Sequence, residues 1–157
     1  MDPISICTAS IALVGASFRI LTSIAALIAD VRNVDAEIHV LRIEMVSLHQ
    51  VLLAISNNFN DPALRLEALE SQTGHEAEHW RNVARSMADC KDTLESMQRK
   101  LQKARGTGKS WFGRPATMVR WSWDSAEITM LKQRLAAYRG TMNLSLQMIS
   151  VYVILFF

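Results

Sequence analysis

His75 and His79 lie four residues apart and, with Glu76, match the H-E-x-x-H pattern of zinc hydrolases. On a helix this spacing places both rings on one face, where they can hold zinc while the glutamate acts as general base. Thr73 and Glu76 also form a capping box, however, and a third ligand would have to be a carboxylate such as Glu95. We therefore expect a solvated helix start, where acidic side chains are favourable. A zinc hydrolase would require bound zinc and an activity that is lost in Glu76→Gln.

A second pattern, Gly106-Thr-Gly-Lys-Ser110, looks like the end of a phosphate-binding P-loop. The complete motif needs a glycine where this chain has Lys103, and it follows a strand, whereas a helix is predicted here. The backbone cradle for a phosphate is therefore missing, and the pattern indicates a flexible connection between helices. Cys7 and Cys90 lie on apolar stripes, so we expect them to pack in the core. We predict no enzyme activity, no cofactor and no metal.

The stretch 96–123 combines seven lysine and arginine residues with no acid, and it holds three of the four tryptophans. Such side chains suit an anionic membrane surface, where each nearby Lys or Arg gains about 1 kcal/mol. Single-stranded nucleic acid could use the same side chains, but a net charge of only +2 argues against a dedicated nucleic-acid binder. The other interpretation is a solvated loop whose aromatic rings cover one end of the fold. The residues of this basic/aromatic surface are Arg99, Lys100, Lys103, Arg105, Lys109, Trp111, Phe112, Arg114, Arg120 and Trp121.

The composition indicates a single all-α domain over residues 1–157. Half of the 157 residues are apolar, which is enough for a core, while 6 glycines and 3 prolines are too few for the turns of a sandwich or barrel. The 2 cysteines cannot form a disulfide framework, so a reducing, cytoplasmic location is the simpler interpretation.

The first predicted helix, over about 3–29, is apolar on two faces. Asp2 and Pro3 are typical of a helix start, and an acid at this position argues against a signal peptide. Arg19 and several hydroxyl side chains also make the run more polar than a typical membrane span. A helix with two apolar faces is either central in a bundle or suited to lipid. One stripe contains Ile4, Cys7, Ile11, Val14, Phe18, Leu21, Ala25 and Ile28, and the other contains Ile6, Leu13, Ile20 and Leu27.

Three further helices are predicted over about 34–57, 74–105 and 124–155, because apolar residues recur in each at spacings of three and four. The loop 106–123 joins the last two, and 62–71 is consistent with a short extra helix. The uncharged end of the chain could be a tail anchor, but its amides and serines favour a core helix. Mostly short connections then predict an elongated antiparallel four-helix bundle.

Several elements in a fixed order resemble a fungal family. They are Met1-Asp-Pro-Ile-Ser-Ile before an alanine-rich apolar helix, Asp30-Val-Arg-Asn, Glu37-Ile-x-x-Leu41, Leu48-x-x-Val51-Leu52, Cys90-x-x-x-Leu94, Leu101, a basic loop, Trp121, Glu127-Ile-x-x-Leu131-x-x-x-Leu135-x-x-Tyr138 and Leu144-x-Leu146. Over nearly the whole chain, this order resembles the N-terminal domain found ahead of NACHT, ankyrin or other modules in fungal NOD-like (STAND) receptors. That group is related to the HeLo and HeLo-like domains.

The resemblance implies an effector or signalling domain in fungal innate immunity or programmed cell death. In HeLo-type domains the apolar N-terminal helix is exposed on activation and enters or disrupts the plasma membrane. The implied partners are anionic membrane lipid and either self-association or a NACHT/ankyrin-type receptor module, with no nucleic acid. The domain would be cytoplasmic and recruited to the plasma membrane on activation. The implied membrane-interacting residues are Ile4, Ile6, Ile11, Leu13, Gly15, Phe18, Ile20 and Leu27.

This interpretation predicts a first helix with two states. In the resting bundle both of its apolar stripes would be covered, and oligomerisation of an attached module would favour its release. The rival interpretation is a non-lytic bundle that serves protein–protein interaction as an adaptor or oligomerisation module. Charged substitutions at Ile6, Leu13 and Ile20 would unfold the protein if that face is core. The chain carries no sensor module, so we expect an excised domain or a short stand-alone form.

Overall fold

The computed structural model describes residues 3–30, 36–60, 62, 75–106 and 125–156; nearly all of them are helical, and none is in a strand. The four helices are α1 (Pro3–Asp30), α2 (Ala36–Asn58), α3 (His75–Gly106) and α4 (Ser125–Phe156). Each helix begins and ends within two residues of its predicted bounds, so the all-α prediction is confirmed. The predicted short helix over 62–71, apart from Pro62, and the predicted loop over 106–123, apart from Gly106, lie outside the described residues.

The helices form a square in which α1 and α4 occupy opposite corners, because each of them packs closely against both α2 and α3. Residues 5–19 of α1 line one cavity together with residues 87–98 of α3. Residues 18–23 of α1 line the next cavity together with residues 98–102 of α3. Since the residue numbers rise together, α1 and α3 run in the same direction.

Polar contacts give the direction of α4. The Ser125 hydroxyl donates to Oε2 of Glu37 at 3.1 Å, and Arg139 forms an ion pair with Glu44 at 3.4 Å. The residue numbers again rise together, so α4 runs parallel to α2. Between α3 and α4 the residue numbers run in opposite directions, since Thr93 bonds Tyr138 and Lys100 pairs with Glu127. Consecutive helices along the chain therefore alternate in direction, as expected for an antiparallel bundle.

Each helix turns one ridge of residues at spacings of three and four toward the centre of the square. Two serines of α1 lie on this ridge, but neither leaves an unsatisfied hydroxyl. Ser10 donates to the carbonyl of Cys7 at 2.7 Å, and Ser17 donates to the carbonyl of Val14 at 2.9 Å. The largest fully buried side chains are Ile6, Ile20, Ile24, Leu41, Met45, Leu48, Leu52, Ile55, Met87, Leu94, Met97 and Leu135.

Candidate functional site

The bundle buries the stripe of α1 in which apolar residues recur every seven positions. Each of the four residues of this stripe is at most 4% exposed; they are Ile6, Leu13, Ile20 and Leu27. They stabilise the resting bundle, so a charge placed among them would report on folding. The buried ridge consists of Ile6, Ser10, Leu13, Ser17, Ile20, Ile24 and Leu27.

The other stripe of α1 is covered only in part: Cys7 is buried, and Val14, Leu21 and Ile28 pack against the core at intermediate exposure. Ile11 is 54% exposed and Phe18 is 61% exposed. The expectation that the resting bundle covers both stripes is therefore wrong for these two residues. Gly15 lies between them, and the guanidinium of Arg19 lies 3.7 Å from where a Cβ would be. We call Ile11, Gly15 and Phe18 the α1 outer ridge; the side chain of Ile4 lies outside the described part of the chain.

A hydrogen bond joins α1 to α2 beside this outer ridge. The Ser17 hydroxyl oxygen lies 2.7 Å from Nδ1 of His49. Because the hydroxyl proton already goes to the Val14 carbonyl, the imidazole donates from Nδ1 to Ser17. The Phe18 ring lies against the same imidazole, with centroids 6.3 Å apart and planes tilted by 40°. His49 thus contacts both the buried ridge and the outer ridge of α1.

A groove runs between α1 and α3. Its larger part has a volume of about 710 Å³, and Ala9, Ala12 and Ala16 of α1 line it opposite Ala88 of α3. A smaller cavity of about 350 Å³ continues it toward the C-terminal end of α1. Arg19 lines both cavities and so stands where they meet. We call this continuous depression the α1–α3 groove.

The structure describes only the first part of the predicted basic/aromatic surface. Arg99 is exposed, and its Nε donates to the Glu95 carbonyl in the same helix at 3.3 Å. Lys100 forms an ion pair with Glu127 of α4, so it ties two helices together and is not a free surface cation. The side chains of Lys103 and Arg105, near the end of α3, are outside the described set. So are the complete residues Lys109, Trp111, Phe112, Arg114, Arg120 and Trp121.

The metal and thiol motifs yield no reactive centre among the side chains that are described. Within that part of the chain, no group of three or more His, Cys, Asp or Glu residues could hold a metal ion. The side chains of His75 and Glu76 fall outside it, so the expectation about zinc stays a prediction. Burial raises the pKa of the Cys90 thiol to about 12, because desolvation disfavours the thiolate. Cys90 is therefore a packing residue and not a nucleophile.

Two helices have the length and composition of membrane spans. They are α1 over Ser5–Ala29 and α2 over Ala36–Asn58. The core helix of a soluble protein meets the same criterion, but such a helix is mostly buried. Here only 28% of the apolar window of α1 and 33% of that of α2 are buried in the bundle. Both helices therefore carry apolar side chains outside the fully buried core.

A comparison with family models shows the family of this helical bundle. A family model described as "Pigment biosynthesis cluster protein PigL N-terminal" matches residues 1–153. The chain belongs to the PigL N-terminal family. This is a family of fungal N-terminal helical domains, in agreement with the fungal helical domain expected from the sequence. No curated protein and no solved structure gives a significant match. The finer resemblance to HeLo-type domains of NOD-like receptors stays a prediction.

Two features of this PigL N-terminal domain were not predicted from the sequence. The first is the hydrogen bond from His49 to Ser17, and its only signal is the place of Ser17 in the seven-residue pattern of the buried ridge. The second is the α1–α3 groove, whose signal is the recurrence of alanine at 9, 12 and 16. Neither signal identifies the helix that lies opposite, which is why sequence reasoning missed both.

Proposed function

We propose that this domain is the N-terminal effector of a fungal immunity or cell-death receptor and that it acts on membranes through α1. One observation carries the proposal: α1 is long and apolar enough to cross a membrane, yet the bundle leaves Ile11 and Phe18 exposed. Exposed large apolar side chains that share one helix face mark a contact surface. Membership of the PigL N-terminal family is compatible with a helical N-terminal domain of a fungal protein, and the resemblance to HeLo-type domains suggests the setting and the activity.

The energetics suit a helix that can leave the bundle. The 25 residues of Ser5–Ala29 would extend about 37 Å, against about 30 Å for the hydrocarbon core of a bilayer. Ten large apolar residues in this window would favour insertion by about 3–6 kcal/mol in total, while Arg19 at the bilayer centre would cost about 2.5–3.5 kcal/mol. The balance is small, so a modest bias such as local concentration or anionic lipid can decide whether α1 inserts.

The position of the basic residues is consistent with this movement. Because α1 and α3 are parallel, Asp30 at the end of α1 lies at the same end of the bundle as Gly106 at the end of α3. Arg99 and, in the last turns of α3, the backbone of Lys103 and Arg105 are near this end. If α1 leaves the bundle while joined to it through Asp30, these cations would lie beside its point of entry into the bilayer, near anionic headgroups.

Under this proposal the protein is not an enzyme. It resides in the cytoplasm and is recruited to the plasma membrane on activation. Its partners would be anionic lipid and either further copies of the domain or a NACHT/ankyrin-type receptor module. An attached module that oligomerises would bring several α1 helices together and so favour their joint insertion. Nucleic acid is not an expected partner, since the formal net charge is +2.

Dye release from lipid vesicles tests the proposal. The purified chain, alone and fused to a trimeric coiled coil, is added to vesicles that contain phosphatidylserine and to vesicles of phosphatidylcholine only. We expect release from the anionic vesicles, faster for the trimeric fusion, and little release from the neutral ones. A folded trimeric fusion that releases no dye from either vesicle would contradict the proposal.

The second candidate function is a non-lytic module for adaptor contacts or oligomerisation. It is favoured by apolar side chains on the other helices, since Ile43 of α2 and Leu144 of α4 are each 62% exposed. A protein contact could cover these residues, whereas insertion of α1 would not require them. This function predicts concentration-dependent association that is weakened by Ile43→Glu or Leu144→Glu, with no release of dye from vesicles.

A further inference from the structure

We infer that the α1–α3 groove binds a single-chain anionic amphiphile, such as a free long-chain fatty acid. The carboxylate would pair with Arg19, and the hydrocarbon chain would lie along the alanines of α1. We further infer that this ligand holds α1 in the bundle, and this second step rests on the proposed function.

The shape of the groove fits a hydrocarbon chain. Its larger cavity, of about 710 Å³, lies within the usual range of about 300–1,000 Å³ for small-molecule sites. Ala9, Ala12 and Ala16 of α1 and Ala88 of α3 form a surface with no bulky side chain. An α-helix with its side chains is about 10–12 Å across and is too wide for a channel between two packed helices. A single alkyl chain is narrow enough, and its burial there would remove apolar surface from water.

The charge of the groove complements an anion at one point. Arg19 is the only lysine, arginine, aspartate or glutamate of α1 between Pro3 and Ala29. Among the residues that the structure describes, it forms no ion pair. The charges on the opposite wall, Lys91 and Glu95, lie 3.9 Å apart and offset each other. The unpaired guanidinium stands where the two cavities meet, so a carboxylate bound there leaves the larger cavity for its chain.

The guanidinium lies along α1 beside Gly15. The Arg19 side chain folds back over one turn of α1, and its Nη1 lies 3.7 Å from the place of an added Cβ at Gly15. An alanine at this position would make an ordinary van der Waals contact with the guanidinium, so the position of Arg19 does not depend on the glycine.

Such a ligand would contact α1 and α3 together, so it would bind the closed bundle and not a bundle from which α1 has left. A ligand that binds one state only shifts the equilibrium toward that state. We therefore expect a bound fatty acid to raise the melting temperature of the protein and to slow the release of dye from vesicles.

Direct binding without vesicles tests the site. The probe is the fluorescent fatty acid cis-parinarate, used below its critical micelle concentration and displaced by oleate. Ala12→Trp fills the groove from an exposed position, and Ala137→Trp on the exposed face of α4 is its matched control. We expect Ala12→Trp to weaken parinarate binding about tenfold or more, because the site is then occupied by the indole, and Ala137→Trp to leave it unchanged.

The charge is tested with Arg19→Gln and, as control, Arg85→Gln at an exposed position of α3 outside the groove. Arg19→Gln should weaken oleate binding about tenfold, since a charge-assisted pair is lost, and should not change the binding of uncharged oleyl alcohol. Equal binding in wild type, Ala12→Trp and Arg19→Gln would overturn the site. The site would also be overturned if the protein is a dimer that binds no parinarate and if Ala12→Trp dissociates that dimer. Intact binding without any vesicle leakage would contradict the proposed function and leave the site standing.

Discussion

Phe18 on α1 and Leu144 on α4 are large apolar side chains with nearly equal exposure, 61% and 62%. A glutamate at either position should leave the fold intact, because substitutions at exposed sites usually change stability by no more than about 0.5 kcal/mol. We expect Phe18→Glu to reduce the rate of dye release from anionic vesicles about tenfold or more, since a charge then enters the bilayer with α1. Leu144→Glu should release dye at the wild-type rate.

The comparison of these two variants separates a specific role of α1 from general surface hydrophobicity. Circular dichroism melting checks that both proteins remain folded. Equal loss of release in the two variants would indicate non-specific adsorption of apolar side chains. Full release by Phe18→Glu would show that the outer ridge of α1 does not enter lipid.

Cys90 gives a prediction about reactivity. Burial raises its pKa to about 12 from the ordinary value of 9.0, so the folded protein keeps the thiol proton at pH values where the unfolded chain loses it. The contribution of this group to the free energy of unfolding should therefore fall as the pH rises from about 9 to about 12. At pH 8 the thiolate fraction should be about 1,000-fold lower in the folded protein than in the unfolded chain.

Alkylation by iodoacetamide with mass spectrometry checks this prediction. Cys90 should be modified at a rate limited by unfolding, and addition of urea should accelerate the modification strongly. Rapid alkylation of Cys90 in the folded protein, without urea, would show that the thiol is reached by solvent and that the α3 ridge is not packed as described.

At the scale of the helix, the hydrogen bond between Ser17 and His49 holds α1 against α2. Ser17→Ala removes it, and we expect a loss of about 0.5–1.5 kcal/mol in the free energy of unfolding. Because the bond exists only while α1 is in the bundle, the variant should also release dye at a lower protein concentration. The control is Thr22→Ala, which removes an exposed hydroxyl bonded only to the Phe18 carbonyl of its own helix.

Urea unfolding and vesicle leakage measure the two effects of Ser17→Ala. A variant that is less stable but releases dye no more readily than wild type would show that separation of α1 from α2 does not limit membrane action. In that case the α1–α3 contact would be the one that controls release.

The helices could be predicted from the sequence almost to the residue, because their apolar positions follow the helical period. Which stripe of α1 faces the core could not be predicted. Both stripes are apolar, and the buried one even contains Ser10 and Ser17. Those hydroxyls are accepted in the core because each bonds a carbonyl one turn earlier, so their burial costs little.

The candidate site was predicted less completely than the fold. The sequence predicts that the first helix is the membrane element, and this stays a prediction, but Ile11 and Phe18 can be distinguished from buried neighbours only when the positions of α2 and α3 are known. Lys100 was predicted as part of a basic surface and instead pairs with Glu127, which lies 27 residues away in the sequence. Such pairing depends on the alignment of α3 with α4, and local sequence spacing does not fix that alignment.

The whole molecule has an uneven distribution of charge along the bundle. The first part of α1 up to Phe18, the second part of α2 from Met45 and the second part of α4 from Gly140 contain no lysine, arginine, aspartate or glutamate. These three segments meet at one end of the bundle, because α1 and α3 run opposite to α2 and α4. Among the described helical residues at that end, only those of α3 carry such charges, among them Glu78 and Arg85.

This distribution bears on how the domain could reach lipid. Immersion of the intact uncharged end would also bury the charges of α3, each at a cost of several kcal/mol. Departure of α1 from the square avoids that cost, because α3 can then stay at the membrane surface. The arrangement therefore favours movement of one helix over insertion of the complete bundle.

The position of α1 during membrane binding is the most direct test of this account. A fluorophore sensitive to polarity, such as NBD, is attached to Ile11→Cys and, as control, to Leu144→Cys; the buried native thiols Cys7 and Cys90 should not react. On addition of anionic vesicles we expect a blue shift and quenching by nitroxides on the lipid chains for the label at position 11, and neither change at position 144. Dye release with no change at position 11, or equal quenching at both positions, would contradict the claim that α1 is the element that enters the membrane.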